Sequence, residues 1–382
     1  MDVTSRFRGC LLGGAVGDAL GAPVEFMSRA KILQEYGPRG ITDYGWAFGG
    51  LGRITDDTQM SLFTAEGLLR GWVRFCERGI GPAFTMTTAH AYSRWLITQG
   101  ETPVGDWEHW GASGSGWLMR HEELHSRRAP GNTCLSALRA IPGPGFTDPA
   151  ENDSKGCGGV MRVAPAGLFV ARFGRDASLD RAFELGVDLA ALTHGHPTGS
   201  LSAGVLAALI FSLSFGESLQ ESLSQAMKRL VAEPDHEETL QAAECARDLA
   251  TSGVERHVAI ARLGQGWVAE EALAISIYCA LVAEGFQDGV IMAVNHDGDS
   301  DSTGAITGNI LGTMHGTQAI PLSWLEPLEL REVITQIADD LYRFPDWTVG
   351  AMGGEVAPNG DVHLTDVETE DDERIREKYP PF

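Results

Sequence analysis

The sequence is short of basic residues, of paired cysteines and of strand-like alternation, and each shortage removes a class of protein. Lys and Arg number 29 against 52 Asp and Glu, for a formal charge of −23. Nucleic-acid binders gain much of their affinity by neutralising phosphates with basic side chains, so an extended DNA or RNA surface is excluded and at most a small basic pocket remains. The six cysteines, Cys10, Cys76, Cys134, Cys157, Cys245 and Cys279, are scattered without a C-x-x-C pair. That excludes a zinc ribbon and a disulfide scaffold and fits a reduced, cytoplasmic protein. The first residues, Met1-Asp2-Val3-Thr4-Ser5-Arg6, lead into a glycine-rich helical pattern with neither the apolar stretch nor the small-residue cleavage site of a signal peptide, so secretion is not expected. One uncharged run, residues 197–216, approaches membrane-spanning length. Thr198, Ser200, Ser202, Ser212, Ser214 and several glycines dilute it, which marks a buried core helix and leaves no membrane partner to expect.

What is present is helical. With 382 residues and 43% hydrophobic content the chain can bury a large core. Gly9, Gly13, Gly17 and Gly21 recur every four residues beside Leu11, Leu12, Val16 and Leu20, and Gly304, Gly308, Gly312 and Gly316 repeat the pattern near the other end. Such rows give two bare helix faces able to approach closely, at a propensity cost of about 1 kcal/mol per glycine that packing must offset. Further helices are expected over 57–72, 85–98, 134–141, 179–192, 200–215, 219–231, 237–251, 270–284, 288–294 and 329–342. Residues 98–159 are rich in Gly, Pro, Ser and Asn and read as long ordered loops, the kind that carries function. No linker sets off a second core. The fold expected is all-α: one compact, orthogonal helical domain over residues 1–347, with long ordered loops around a metal site. A C-terminal segment, 348–382, holds the turn signal Pro358-Asn359-Gly360-Asp361, read as a short hairpin, and then a charged, flexible end.

The chemistry lies in two acidic turns. Asp297-Gly298-Asp299-Ser300-Asp301-Ser302-Thr303 precedes the second glycine helix, and Thr55-Asp56-Asp57-Thr58 precedes another helical pattern far upstream. Alone, the second quartet is an ordinary helix start, with Thr55 as N-cap and acids in the first turn where the helix dipole favours them. Together the clusters supply four carboxylates, Asp56, Asp57, Asp299 and Asp301, whose charge of −4 matches two divalent cations; without cations they would repel one another in a low-dielectric site. Oxygen donors favour Mg²⁺, Mn²⁺ or Ca²⁺ over zinc, and the hydroxyls of Thr55 and Ser302 can complete the set. A calcium loop starting at Asp297 fails, because its turn glycine falls on Ser302 and its bidentate glutamate on Gly308.

Five motifs in order resemble the ADP-ribosylglycohydrolase family: Gly14-Ala15-Val16-Gly17-Asp18-Ala19-Leu20-Gly21 with Glu25; Thr55-Asp56-Asp57-Thr58; Ser154-Lys155-Gly156-Cys157-Gly158-Gly159-Val160-Met161-Arg162; Thr193-His194 with His196-Pro197; and Gly298-Asp299-Ser300-Asp301-Ser302-Thr303-Gly304. The match runs from about residue 6 to residue 317, closest in style to the arginine-directed, nitrogenase-reactivating members. The resemblance implies an all-α metal-dependent hydrolase acting on the bond between ribose C1 and a modified side chain. It implies two Mg²⁺ or Mn²⁺ ions at Thr55, Asp56, Asp57, Asp299, Asp301 and Ser302, with Thr303 as the alternative hydroxyl. Glu25 and Asp301 are the candidates for proton handling. The segment Ser154, Lys155, Gly156, Cys157, Gly158 and Gly159, with His194 and Asn132, would hold the substrate, an ADP-ribosylated protein or ADP-ribose, taken up by a monomer. Asn132 stands where some relatives carry an acid.

Bland readings stand beside these. Glu25 reads as a solvated residue after Pro23, Gly156 to Gly159 as a plain turn, and His194 as a cap on the next helix. Asp18 supports either the metal shell or the helix turn, and Arg162 is either an ion-pair member or a local counter-charge. Trp107, Trp110 and Trp117 anchor the long loop or stack on adenine. Two other functions fit the same fold: a noncatalytic immunity or scaffold protein, against which the four intact acids argue, and a hydrolase of another ADP-ribose conjugate, serine-linked or polymeric.

Overall fold

Glycine rows set the centre of the molecule. The helix Val3–Gly21 lies antiparallel against Ser300–His315, its most extensive partner, with Gly9, Gly13 and Gly17 facing Gly312, Gly308 and Gly304. A methyl group on Gly17 would fall 2.0 Å from the carbonyl oxygen of Gly304, and one on Gly308 equally close to that of Gly13. No side chain fits between these backbones, and the apolar residues on either side of the seam fill the core. Asn309 adds a stitch, donating from Nδ2 to the carbonyl of Cys10 at 2.8 Å. The pairing has a functional consequence: at its far end Gly21 sits against the backbone of Ser300 and Asp301, which brings the segment carrying Glu25 to the second acidic turn.

This computed structural model describes residues 2–79, 81, 83–104, 115–143, 145–350, 352–356, 362–366 and 369–381, with the side chains of 352–356 and 362–366 left aside. Among them are seventeen α-helices and one two-stranded hairpin, the all-α class read from the sequence. Every expected helix is present, with ends shifted by a few residues and one, Asp56–Arg78, extended by more than a turn. Pro197–Ser214, long and apolar enough to cross a membrane, is 94% buried inside the protein. Four helices of the domain escaped the sequence reading. Arg29–Tyr36 buries only Ile32, Ala164–Ala171 is buried on every side and so has no polar period, and Arg256–Leu263 and Leu322–Leu325 are short.

Among its described residues the loop region 98–159 contains the expected short helix, Asn132–Ala140, and three 3₁₀ turns, Leu118–Arg120, Glu122–Leu124 and Cys157–Gly159. Beyond residue 347, Met352–Val356 pairs antiparallel with Val362–Asp366, Met352 opposite Asp366 and Val356 opposite Val362. The turn signal at 358–361 lies outside the described residues. The segment read as a flexible end is instead a helix, Glu370–Lys378, capped by Thr369 and Asp372. Arg376 pairs with Glu77 and Lys378 with Asp340, both at 2.5 Å, and Tyr379 is buried. Charge runs conceal such docking, because the contacts that fix them are remote in sequence.

Candidate active site

Asp18 organises the first acidic turn. Fully buried on the N-terminal glycine helix, it accepts the backbone N–H of Thr55 at 3.0 Å, that of Thr58 at 3.1 Å, and the Thr58 hydroxyl. These are N–H groups that a helix start leaves without intrahelical partners, so Asp18 fixes where Asp56–Arg78 begins. Thr55 is the N-cap, its Oγ1 accepting from the Asp57 amide at 3.3 Å. Asp18 thereby supports the helix turn; its oxygens are already occupied by that work. Burial pushes its carboxyl up to about 6 in spite of those donors.

The two acidic turns meet. Asp56, Asp57, Asp299 and Asp301, all less than 5% exposed, line one cavity of about 330 Å³ together with Glu25 and Ser302. Glu25, Asp299 and Asp301 each bring one carboxylate oxygen within 4.8 Å of the others. Glu25 is therefore 7% exposed and part of the carboxylate group rather than a solvated residue after Pro23. Burial first, and then mutual repulsion, pushes these acids up: Asp56, Asp57 and Asp299 well above the carboxylate range, Asp301 to about 7 and Glu25 to about 11. Among the described residues no Lys or Arg lines the cavity. The positive ends of two helices, at Asp56 and Ser300, offer only partial charge.

A divalent cation fits this donor set. Asp57 Oδ1 is buried with no hydrogen-bond partner, a costly state that a cation would relieve. The hydroxyls sort themselves by their bonds. Thr303 Oγ1 is engaged with the carbonyls of Ala293 and Asp299 at 2.8 Å and with His296, whereas Ser302 Oγ has long contacts to sulfur, Cys157 Sγ and Met161 Sδ at 3.7 Å, and faces the carboxylate of Asp299. Ser302 is thus the hydroxyl left open toward the cavity. Thr55 Oγ1 is turned to Asp57 and does not line it. Asp297, the third member of the alternation, is exposed and caps Arg29–Tyr36 through the Arg29 amide at 2.9 Å. Cys157 donates its S–H to Asp299 Oδ2 at 2.8 Å, a contact with no sequence signal.

The remaining candidates divide. Asn132, Gly156, Cys157, Gly158 and His194 line the cavity; Ser154, Lys155 and Gly159 do not. Lys155 is held away by Glu270 at 2.5 Å and by Glu238, Ser154 by Thr133 at 3.0 Å, and Gly159 lies against Ala190 and His194. The glycine turn has fewer free donors than its composition suggests, since Cys157 N–H bonds to the Trp267 carbonyl and Gly156 N–H to Ser154 Oγ. Arg162 has no ion-pair partner among the described residues: fully buried, it donates to the Leu189 carbonyl and to Thr193 Oγ1 and lies over the Tyr92 ring. It is His196, not His194, that caps the next helix, accepting from Thr198 at 3.1 Å. Trp117 lies under Lys378 Nζ, an anchor for the last helix, while Trp107 and Trp110 fall outside the described residues. Sequence reasoning missed the cavity mouth, where exposed Phe26 and Trp267 stack at 5.7 Å, and the lining residues Ala129 and Pro130. Isolated exposed aromatics give no periodic signal.

Comparisons with known proteins agree on one family. The family model described as ADP-ribosylglycohydrolase matches residues 1–348. The chain is 28% identical over 344 residues to the ADP-ribosyl-[dinitrogen reductase] glycohydrolase of Rhodospirillum rubrum, covering 88% of this chain and 95% of that one. It is 25% identical to an ADP-ribosylarginine hydrolase of Serratia proteamaculans, covering 88% and 79%. A solved structure titled ADP-ribosylglycohydrolase-related protein complex superposes with a TM-score of 0.63 at 26% identity, over 90% of this chain and 98% of that one.

Proposed function

This chain belongs to the ADP-ribosylglycohydrolase family, and from that premise we propose that it is a Mg²⁺- or Mn²⁺-dependent hydrolase that removes ADP-ribose from modified arginine side chains of proteins. The family and its relatives support an ADP-ribosyl hydrolase. The observation that carries the metal-dependent reading is the convergence of Asp56 and Asp57 with Glu25, Asp299 and Asp301 on one cavity that, among the described residues, no Lys or Arg lines. Arginine as the modified residue rests on what the relatives are named for, and an acidic cavity complements a cationic guanidinium.

In this reading Asp56, Asp57, Asp299, Asp301 and Ser302 hold two cations, with Thr55 orienting Asp57. When bound, such ions would lower the pKa of water and offset charge developing at the sugar. The chain's own groups do the rest. Asp18 fixes the helix start that aims Asp56 and Asp57, and the S–H of Cys157 orients one oxygen of Asp299. Glu25 holds or releases a proton at the leaving nitrogen, with Asp301 as its alternate, a role supported by its nearness to Asp299 and Asp301. Asn132 and His194, which both line the cavity, contact the ADP-ribose. Six free, scattered thiols support a cytoplasmic setting.

The test is release of ADP-ribose from arginine-linked, serine-linked and poly-ADP-ribosylated substrates, with Mg²⁺, Mn²⁺ or chelator. Release from the arginine-linked substrate that chelator stops is the expected result. Chelator-insensitive release contradicts the mechanism, preference for serine or polymer contradicts the substrate, and no release at all favours a noncatalytic scaffold.

A further inference from the structure

We infer that Arg162 and Thr193 form a relay that locks His194 as a neutral imidazole carrying its proton on Nε2, so that this wall of the cavity presents a fixed hydrogen-bond donor and never a base. The argument is a proton count at one hydroxyl. Arg162 Nη2 donates to Thr193 Oγ1 at 2.7 Å, and a guanidinium cannot accept in return. The single Thr193 proton then has three destinations: the Ala190 carbonyl at 3.3 Å, the weakly accepting Cys134 Sγ, to which Arg162 Nη1 already donates at 3.4 Å, and His194 Nδ1 at 2.8 Å. The Ala190 carbonyl already accepts the backbone N–H groups of Thr193 and His194, both at 3.0 Å, which fills its two lone pairs. The hydroxyl therefore donates to His194 Nδ1. With Nδ1 accepting, the neutral ring carries its hydrogen on Nε2, on the edge that borders the glycine turn at Gly156 and Gly158 and lines the cavity.

Arg162 is built for this role. It is fully buried on the helical side of the turn, and its other partners are neutral: the Leu189 carbonyl at 3.1 Å, Cys134 Sγ at 3.4 Å, Met60 Sδ at 3.6 Å and the Tyr92 ring at 4.3 Å, with Nε unpartnered. An uncompensated cation next to a buried ring also opposes a second positive charge there; burial and Arg162 together push His194 down to about 3. A side-chain amide holds the relay from outside, with Asn152 Nδ2 donating to the Thr193 carbonyl at 2.9 Å. Arg162 and Thr193 are positioning residues: they act on the ligand only through His194. The donor fits an acceptor oxygen, of a phosphate or a sugar hydroxyl. The inference leans on the proposed function only for that ligand's identity.

Long-range ¹H–¹⁵N correlation spectra of the histidine side chains, recorded on the whole protein without substrate, read the tautomer directly. The expected pattern for His194 is Nε2–H, unchanged from pH 8 to pH 5. Thr193→Val, which keeps shape and removes the hydroxyl, should lose that pattern or make it pH-dependent, and Thr193→Ser should restore it. The same Thr193→Val change should weaken ADP-ribose binding by about tenfold, the size of one lost hydrogen bond, while leaving Mn²⁺ affinity unchanged. An Nδ1–H tautomer in the wild type, or an Nε2–H tautomer that persists in Thr193→Val, overturns the inference. Because the spectra need no substrate, a wrong assignment of the reaction would leave this result standing.

Discussion

Asp18 shows how much of the site depends on residues that need not touch a ligand. Its carboxylate holds two backbone amides and a hydroxyl at the start of Asp56–Arg78, so its loss should misdirect Asp56 and Asp57 rather than remove a donor. Asp18→Asn and Thr58→Val are expected to lower Mn²⁺ affinity by roughly 10–100-fold, the usual cost of disturbing a residue that orients metal ligands; titration calorimetry measures it, and unchanged affinity would refute this role. Asp57→Asn tests the cluster itself. Removing one of several repelling carboxylates should raise the melting temperature in chelator, abolish the stabilisation that Mg²⁺ gives, and cut turnover by more than about 100-fold. A variant that melts lower in chelator yet still responds to Mg²⁺ would show that Asp57 is structural.

At the scale of elements, the central claim is that the seam between Val3–Gly21 and Ser300–His315 sets the distance between Glu25 and the second acidic turn. Gly17→Ala and Gly308→Ala each drive a methyl to 2.0 Å from a carbonyl oxygen of the facing backbone, where no rotamer can yield. Each should destabilise the protein by about 1–3 kcal/mol, the range for overpacked cores, and weaken cation binding as well. Denaturant unfolding with and without Mn²⁺ separates the two effects, and a seam variant of normal stability would mean that the helices sit farther apart. Much of this was legible in the sequence, because glycine every fourth residue and acids next to N-caps are local patterns. The five-residue convergence was legible only in part: the two Asp pairs announced themselves by repetition, but Glu25 joined them through the resemblance alone. What stayed hidden depends on long-range contacts. Lys155 looks like a phosphate ligand until Glu238 and Glu270 are seen to hold it. Arg162 looks like half of an ion pair until its neutral surroundings are known. The mouth residues Phe26 and Trp267 are 241 positions apart, and nothing in either neighbourhood marks them.

For the whole molecule the acid cluster makes a statement about pH. Asp18, Asp301 and Glu25 are raised to about 6, about 7 and about 11, and Asp56, Asp57 and Asp299 are also raised. A carboxyl with a raised folded-state pKa favours folding below its unfolded value near 4 and loses that contribution as pH climbs through the folded value. The cation-free protein should therefore lose stability as pH rises from about 4 to 7 and on above it. Bound cations, by favouring the ionised acids, should flatten or reverse that slope. Thermal melts in chelator and in Mg²⁺ across this range check the sign, and parallel curves would argue against cation binding at the cluster. The most direct measurement of the central claim is anomalous scattering from crystals grown with Mn²⁺. Two peaks are expected within bonding distance of Asp56, Asp57, Asp299 and Asp301, and vanishing in Asp301→Ala. Density with no peak among these carboxylates, or peaks seated elsewhere, would contradict the account.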